Sequence, residues 1–444
     1  MPLYEIYEKT TKKMLFPDRA GLIADLKKDS KCDILIIGGG IQGATLAHLA
    51  SFNGLKVVLL EKNDYASGDS SNTQKLLIAN DLRTSRKNVD SMKALFRVAT
   101  HNITPIALTI NKSIPLGLRI RNFFNTRLLT SFKEKNIPLL LDASYRPTRY
   151  TLDRIFAARQ EGARCLNYAQ VQSYYQQENG SYNVSWIDTL TGSHFVINTG
   201  AVVNCAGINV NSIGRLNSKL PVATRLIEEF FYKIEARVTA LSSSIFFEKD
   251  NAVTVYNNGQ DVLIGPFTKE IKESEQDILN KINKWLKHNL SLFNFDDTPY
   301  KLIKHSYLKP LRKKSSYRID KNNAIYSIIG GTTLEANQIA EECLKDIFKI
   351  SHKKIKVTSL NGRKLSGTAL YNEYTNEFID LCKSMNIPSN IYQSCIKRWG
   401  SRVIHIPDFP NAFSIIDNKY LNGEISLAKE YEQAETQEDI ERRL

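Results

Sequence analysis

Two short apolar runs separated by a glycine-rich turn form the clearest pattern of hydrophobic and polar positions in the chain. The first run covers residues 32–37, the turn begins at residue 38, and the second run covers residues 56–60. Apolar runs of about four to eight residues are typical of strands that are buried on both faces. A helix is expected between the runs, so together they predict a parallel β-α-β unit.

The turn of this unit carries three glycines in the spacing Gly38-x-Gly40-x-x-Gly43. In a nucleotide-binding turn, the first glycine allows a tight bend, the second lets the backbone approach a pyrophosphate, and the third lets the helix pack closely on the sheet. The second apolar run ends at Glu61, whose carboxylate can accept hydrogen bonds from ribose hydroxyls. Strand, turn, helix and acidic residue together predict dinucleotide binding.

Beyond this unit, helical and strand periodicities alternate along the chain. Helices are predicted within residues 20–28, 91–110 (broken at Pro105), 148–162, 276–289 and 334–348, and residues 165–176 are predicted as helix or coil. Strands are predicted in a hairpin over residues 186–197, in residues 201–207, in an antiparallel sheet within residues 222–268, and in residues 324–329. The last strand leads into Gly330 and Gly331, which place backbone N–H groups at a helix N-terminus, a good anion site.

These elements predict an α/β protein with a Rossmann-like dinucleotide-binding domain, an inserted and mainly antiparallel β substrate domain, and a small C-terminal helical domain. The expected boundaries are 1–30 for an N-terminal leader, 31–110, 145–215 and 300–348 for the first domain, 111–144 and 216–299 for the second, and 349–444 for the third.

Composition agrees with a globular protein of more than one domain, since the chain has 444 residues, 42% hydrophobic and 24% charged. No apolar run approaches the ~18 residues of a membrane span, and the N-terminal residues lack the apolar core of a secretory signal. A cytoplasmic location is therefore expected. The six cysteines and seven histidines are scattered, so neither a disulfide framework nor a metal site is expected.

The net charge of +14 either indicates an anionic partner or reflects a compositional bias. Between residues 116 and 135, bulky apolar and basic side chains are interleaved, as in a basic amphipathic helix. Such a helix can bind an anionic membrane surface, and the same pattern also fits an ordinary surface helix with a solvated charged face. Nucleic-acid binding is not expected, because the basic residues form no recognised module.

The segment from Glu61 to Ser71 has the pattern acidic-Lys-x-Asp-aromatic-Ala-x-Gly-x-Ser-Ser. With this segment the chain resembles the flavin-dependent glycerol-3-phosphate dehydrogenases, members of the amino-acid-oxidase-like flavoproteins. The resemblance covers nearly the whole chain in order. Its further matching motifs are Lys75-Leu76, Asn204-Cys205-Ala206-Gly207, Arg225-Leu226-Ile227, Leu263-Ile264-Gly265, Lys309-Pro310-Leu311, Gly330-Gly331 and Arg398-Trp399-Gly400-Ser401.

This resemblance implies an FAD enzyme that oxidises sn-glycerol 3-phosphate to dihydroxyacetone phosphate, with hydride transfer to flavin N5 and electrons passed to quinone. It also implies that the glycine turn holds the pyrophosphate, that Glu61 holds the adenosine ribose, and that Gly330-Gly331 lies near the isoalloxazine ring. The full set of cofactor-binding residues that the resemblance implies is Gly38, Gly40, Gly43, Glu61, Lys62, Ser70, Ser71, Lys75, Gly207, Gly330, Gly331, Thr332 and Thr333.

The substrate side follows the family pattern less closely than the cofactor side. The family has His-Gly-Gly-Leu-Arg-Tyr after the match at Lys75-Leu76, and of this only an arginine, Arg83, is kept, displaced by one residue. Lys309 stands where the family has arginine, and the family's lysine and arginine after Gly330-Gly331 are absent. The family histidines are also missing. His305 precedes Lys309 by four residues on one predicted strand, so both side chains face the same way.

His305, Lys309 and Arg83 are therefore the predicted catalytic residues, with His305 as the proton acceptor or, alternatively, as a structural histidine. Two other hypotheses stay open: an FAD oxidoreductase of the same fold acting on a different small hydroxy or amino acid, and a catalytically degenerate homologue. The expected partners are a small molecule such as a polyol phosphate, a quinone or other electron acceptor, and the inner face of the cytoplasmic membrane by peripheral contact. A monomer or homodimer is expected.

Overall fold

The structure is a computed structural model. It describes residues 17–72, 75–78, 86–111, 114, 116, 119, 128–132, 137–216, 222–236, 241–248, 252–270, 272–291, 298–311, 316–350, 356–360, 362–368 and 370–444. Three sequence predictions lie wholly or mostly outside these residues: Arg83, the amphipathic segment 116–135, and the first half of the leader.

The described strands form two large sheets and one small hairpin. In chain order they are β1 (Lys31–Ile37), β2 (Val57–Leu60), β3 (Ile103–Ile110), β4 (Leu129–Phe132), β5 (Ile137–Tyr145), β6 (Arg164–Leu166), β7 (Ala169–Gln176), β8 (Tyr182–Asp188), β9 (His194–Asn204), β10 (Thr224–Glu235), β11 (Ser244–Phe247), β12 (Ala252–Asn257), β13 (Asp261–Lys269), β14 (Tyr300–Pro310), β15 (Tyr317–Asn322), β16 (Ile325–Gly330), β17 (Ile415–Ile416) and β18 (Tyr420–Leu421).

The described helices pack on the sheets or form the C-terminal part. In chain order they are α1 (Arg19–Lys28), α2 (Ile41–Phe52), α3 (Asp69–Asn72), α4 (Arg86–Val98), α5 (Pro147–Gln160), α6 (Val210–Arg215), α7 (Glu275–Asn289), α8 (Ala336–Ile350), α9 (Tyr371–Ser384), α10 (Ser389–Trp399), α11 (Asn422–Glu432) and α12 (Gln437–Arg443). Three short 3-10 segments, Gly207–Asn209, Ser366–Thr368 and Gly400–Asp408, connect some of them.

The first sheet has the strand order β15-β16-β9-β1-β2-β6, and β1 pairs in parallel with both β2 and β9. Its central strands are apolar and buried on both faces, with α2, α5 and α8 contributing to the core on one side. Ligands of such sheets bind beyond the carboxyl ends of the strands. The residues that follow β1, β2 and β9 therefore meet at one edge, which places Gly38, Glu61 and Gly207 together.

The second sheet has the strand order β14-β10-β13-β12-β11-β3-β5-β4 and is antiparallel apart from the short pairing of β11 with β3. Helix α7 packs on it through Ile278, Ile282 and Leu286, which are spaced at helical intervals and buried. Ser274 forms a capping box with Asp277 at the start of this helix. The sheet presents one face of β10 and β14 to the carboxyl edge of the first sheet.

The C-terminal helices have their own apolar core around Trp399. They meet α5 through buried charges, here called the charged junction: Asp153, Arg149, Arg402 and Glu432. Arg402 binds both Asp153 and Glu432, and Arg149 also binds both carboxylates. Since each buried carboxylate has arginine partners, the junction joins the helical part to the first sheet through paired charges.

The structure confirms the α/β fold with its β-α-β unit, the hairpin ending in β9, the antiparallel sheet, helix α7 and the C-terminal helices. Two local predictions are wrong. Residues 165–176 are not helix or coil but contain β6 and β7, because alternate positions from Ala169 onward are buried. The helix predicted within residues 91–110 ends at Val98, and β3 follows it.

Proline inside β3 has a physical explanation. Pro105 pairs with Ala143 of β5, whereas the other neighbour, β11, contacts β3 only at Thr109 and Ile110. The missing N–H of Pro105 therefore costs no ladder hydrogen bond on the open side.

Across the described helices, none combines the length and apolar character that crossing a membrane requires.

Candidate functional site

The glycine turn after β1 is too tightly packed to hold larger residues. Gly38 has φ +111°, and a Cβ atom there would lie 2.6 Å from the Cys205 carbonyl oxygen. A Cβ atom at Gly43 would lie 2.0 Å from the Gly38 carbonyl oxygen, so α2 packs directly against the turn. These contacts explain the first and third glycines by backbone geometry.

The N-terminus of α2 opens at this turn and offers backbone donors to an anion. Gly40 is the N-cap residue and supplies no side-chain cap, and the first turn of α2 carries no acidic residue. The Ser70 hydroxyl accepts a hydrogen bond from the Ile41 N–H at 3.0 Å, and a Cβ atom at Gly40 would lie 3.2 Å from the same hydroxyl. A helix N-terminus with no acidic residue in its first turn fits a pyrophosphate.

The Glu61 carboxylate lies beside this turn at the end of β2. Its Oε2 accepts the Gly39 N–H at 2.7 Å, and its Oε1 accepts the Asn63 N–H at 2.9 Å. Burial raises the pKa of Glu61, and the N–H groups of Asn63 and Gly39 oppose that shift. Two backbone bonds fix the orientation of the carboxylate and leave it further lone pairs to accept ribose hydroxyls.

Replacing Glu61 by glutamine is expected to weaken FAD binding by ~10–100-fold, because the amide loses the charge and turns one N–H donor toward a backbone N–H or a ribose hydroxyl. Fluorescence titration of FAD measures the dissociation constant. Glu178→Gln, a change of the same chemistry at an exposed position remote from the turn, is the control. Equal affinity in both variants would contradict the assignment.

The turn opens into a cleft of about 2440 Å³ between the two sheets. Most of the predicted site residues line this cleft. These are Gly38, Gly40, Glu61, Lys62, Ser70, Gly207, His305, Lys309, Gly330, Gly331, Thr332 and Thr333. The first sheet thus supplies the glycine turns, and the second sheet supplies His305 and Lys309 opposite them.

Three predicted cofactor residues do not line the cleft. Gly43 is buried under the turn, where it supports Gly38. The Ser71 hydroxyl donates to the Gly68 carbonyl at 2.8 Å and so stabilises the short helix α3. Lys75 is absent from the cleft wall, and burial lowers the pKa of its ammonium group. Direct contact of these three residues with a cofactor remains a prediction.

One face of β10 and β14 forms the wall opposite the glycine turns. The register pairs Arg225 with Lys309, Ile227 with Tyr307, and Glu229 with His305, and all six residues line the cleft. This face therefore carries two cations at one end and an acid–histidine pair at the other, a distance of four residues or ~13 Å along the strands. The arrangement can hold an anionic group and a proton acceptor in the same cleft.

His305 is 8% exposed and has a defined set of neighbours. Its Nδ1 lies 3.5 Å from Oε2 of Glu229, and its ring stacks on Tyr307 with centroids 4.9 Å apart. The Tyr307 hydroxyl donates to Oε1 of Glu229 at 2.9 Å. Nδ1 is buried and has no hydrogen-bond partner among the described residues, so Oε2 of Glu229 is the acceptor that lies beside it.

Asp69, at the start of α3, is a second carboxyl group in this region of the cleft. Burial raises its pKa to about 6, and the electrostatic interaction with His305 partly opposes the shift. A Cβ atom at Gly207 would lie 3.4 Å from Oδ2 of Asp69, so the carboxyl group lies between the carboxyl end of β9 and the second sheet. A carboxyl group with such a pKa exchanges protons near neutral pH.

Sequence reasoning missed Asp69 in the cleft and three residues of the wall formed by β10 and β14: Arg225, Glu229 and Tyr307. Arg225 and Asp69 lie inside matched motifs, which is a usable signal. Glu229 and Tyr307 have no such signal, because their meeting with His305 depends on the register of β10 against β14.

Comparison with known proteins agrees with this fold and cleft. The family model "DAO: FAD dependent oxidoreductase" matches residues 33–127. Mitochondrial glycerol-3-phosphate dehydrogenase of Rattus norvegicus is 23% identical over 88% of this chain and 62% of its own length. A probable mitochondrial glycerol-3-phosphate dehydrogenase of Caenorhabditis elegans is 28% identical over 44% of this chain and 33% of its own length. The chain thus spans less than two thirds of these relatives.

Among solved structures, the glycerol-3-phosphate dehydrogenase of Bacillus halodurans complexed with FAD superposes with a TM-score of 0.76 at 20% identity, covering 96% of this chain and 88% of that one. This likeness establishes the fold. Residues 33–127 thus match an FAD-dependent oxidoreductase domain, and the fold of the chain agrees with that match. The curated relatives described above are glycerol-3-phosphate dehydrogenases, to which this chain is similar.

Proposed function

We propose that the chain is a dehydrogenase that oxidises the secondary alcohol of a small anionic substrate, with sn-glycerol 3-phosphate as the first candidate and dihydroxyacetone phosphate as its product. The observation that carries the proposal is the wall formed by β10 and β14. It places Arg225, Lys309 and His305 in the same cleft as the glycine turns.

In this proposal, different residues of the cleft hold the pyrophosphate, the ribose and the flavin of FAD. The N–H groups at the start of α2 and Ser70 hold the pyrophosphate, Glu61 holds the adenosine ribose, and Gly207 with Gly330 and Gly331 lets the backbone approach the flavin. When bound, FAD supplies a two-electron acceptor for the hydride of the substrate.

The remaining chemistry belongs to side chains of the second sheet. Arg225 and Lys309 provide the positive charge that binds a phosphate or carboxylate, and Lys309 lies 5.2 Å from the centre of the Tyr307 ring. His305 accepts the hydroxyl proton at Nε2. A positioned base of this kind raises the reaction rate by ~10²–10⁴-fold.

The test is anaerobic addition of sn-glycerol 3-phosphate to the FAD-loaded protein while the flavin absorbance is followed. Bleaching is expected, and Arg225→Met is expected to weaken substrate binding by ~10–100-fold through loss of a charge-assisted contact. Lys383→Met, a change at an exposed lysine that does not line the cleft, is the control. An FAD-loaded protein that is not bleached by this compound contradicts the first candidate.

A second candidate is the oxidation of a small hydroxy or amino acid by the same cleft. Its specific support is the pair of carboxyl groups, Glu229 and Asp69, near His305, because they can accept hydrogen bonds from a substrate ammonium group while Arg225 and Lys309 bind its carboxylate. Bleaching by amino acids but not by the polyol phosphate would favour this candidate. Retention of FAD without bleaching by either class would indicate a degenerate homologue.

The electron acceptor in this proposal is a quinone, reached by peripheral contact with the inner face of the cytoplasmic membrane. Lysines of α7, Lys281 and Lys284, line the same cleft and give its mouth a positive charge that suits an anionic lipid surface. A soluble quinone analogue replaces the membrane acceptor in the bleaching assay, and reoxidation of the flavin by this analogue supports the choice.

A further inference from the structure

The contacts around His305 differ on its two sides. On the buried side, Nδ1 faces Oε2 of Glu229 at 3.5 Å, and the other oxygen of the same carboxylate is already bonded to the Tyr307 hydroxyl. His305 and Asp69 both line the cleft, and Asp69 is near enough for His305 to affect its pKa. Arg225 and Lys309 lie further along the same face.

Glu229 differs from its neighbour Glu228 in the groups that its carboxylate contacts. It lies on β10 in direct register with His305, and its neighbour Glu228 lies on the opposite face, where it binds Lys304 and Lys269. Glu229 thus has no lysine or arginine among its described ion-pair partners, and its two oxygens face Tyr307 and His305. The Glu229 carboxylate therefore contacts His305 and Tyr307 in the cleft wall, whereas the Glu228 carboxylate pairs with lysines.

We propose that Glu229 and Tyr307 are positioning residues that hold His305 with its proton on Nδ1 and its Nε2 free to accept the substrate proton. The Nδ1–H faces Oε2 of Glu229, 3.5 Å away in this structure, since a carboxylate can only accept, and the contact shortens to a hydrogen bond when the substrate is bound. The hydroxyl proton of the substrate moves to Nε2, and Glu229 stabilises the imidazolium that forms. The inference rests on the proposed function for the role of His305.

The hydrogen bond from Tyr307 makes the proposal specific. In a Glu229→Gln variant, the amide oxygen is retained by the Tyr307 hydroxyl, so the NH₂ group points at Nδ1 of His305. Two donors cannot face each other, and the ring proton therefore moves to Nε2. That tautomer has no lone pair on the cleft side and cannot accept the substrate proton. Removing the Tyr307 hydroxyl frees the amide to rotate and present its oxygen again.

The first readout is the tautomer of His305 in flavin-free protein, observed by nitrogen NMR of the imidazole with His305→Gln to assign the signal. The Nδ1–H form is expected in the unmodified protein and in Glu228→Gln, the Nε2–H form in Glu229→Gln, and the Nδ1–H form again in Glu229→Gln with Tyr307→Phe. An unchanged tautomer in Glu229→Gln would overturn the proposal whatever the substrate is.

The second readout is turnover of the FAD-loaded protein with the substrate found by flavin bleaching. Glu229→Gln is expected to lower kcat by ~10²-fold or more with little change in KM, and Tyr307→Phe in the same chain is expected to restore a large part of it. Glu228→Gln is the matched control with kcat retained. A tautomer change without any loss of kcat would overturn the positioning role, whereas failure of glycerol 3-phosphate alone would affect only the proposed substrate.

Discussion

Alanine at Asp153 is expected to lower the free energy of unfolding by roughly 3–5 kcal/mol, because it leaves buried arginines without their counter-charge. Asp153 is fully buried in the charged junction and accepts hydrogen bonds from Arg149 at 3.2 Å, from His101 at 2.9 Å, and from Arg402. Urea unfolding followed by circular dichroism measures the change.

The pH dependence of this contribution follows from the pKa of Asp153. Burial alone would raise that pKa, but the charges of Arg402, His101 and Arg149 outweigh burial and hold it well below its usual range. A carboxyl group with a lowered pKa stabilises the folded state above its unfolded pKa and loses this effect as the pH falls. The difference between Asp153→Ala and the unmodified chain is therefore expected at neutral pH and should shrink only in strong acid.

An exposed ion pair provides the matched control. Asp346 pairs with Lys349 at 3.0 Å, and the two side chains are 38% and 75% exposed. Asp346→Ala is expected to change the free energy of unfolding by less than about 0.5 kcal/mol. If both alanine variants lost the same stability, the charged junction would not be the link between the helical part and the first sheet.

Alanine at Gly38 is expected to abolish FAD binding within the range of an ordinary titration. The substitution forces a residue with a side chain to φ +111° and brings its Cβ within 2.6 Å of the Cys205 carbonyl oxygen. Strain of ~1–3 kcal/mol and the clash both displace the turn that approaches the pyrophosphate. Equilibrium titration with FAD, together with circular dichroism of the folded chain, measures the effect.

Two further alanine variants separate backbone strain from loss of the site. Gly180→Ala has a similar φ of +82° but open space around its Cβ, so FAD binding is expected to be unchanged. Gly40→Ala has ordinary dihedral angles, and its methyl group would meet only the Ser70 hydroxyl at 3.2 Å. A folded chain with weakened FAD binding is expected for Gly40→Ala. Normal binding in both Gly38→Ala and Gly40→Ala would contradict the pyrophosphate assignment.

The β-α-β unit could be predicted from sequence because each of its signals is local. Glycine spacing, apolar runs and an acidic residue at the end of β2 lie within thirty residues and act through backbone geometry that few other residues allow. The two wrong predictions used the same kind of local signal, but there the conformation depends on distant parts of the chain. At residues 165–176 and 103–110, short segments of mixed polarity took strand conformation from their partners in the sheets.

The wall formed by β10 and β14 could be predicted only in part. His305 and Lys309 share a strand, so their common direction follows from a period of two. Glu229 reaches His305 only through the register of β10 with β14, which the alternation of either strand does not fix. Asp64 is a comparable case, since this acidic residue of the Glu61–Ser71 motif binds Arg443 at the far end of the chain and does not face the cleft.

The most direct measurement of the central claim is the stoichiometry of FAD on the purified chain, determined by calorimetric titration and by flavin absorbance after gel filtration. The structure predicts about one FAD per chain, retained in Gly180→Ala and lost in Gly38→Ala, because one glycine turn and one Glu61 carboxylate line one cleft. A folded chain that takes up no FAD, or that binds it equally well with alanine at Gly38, would contradict the account.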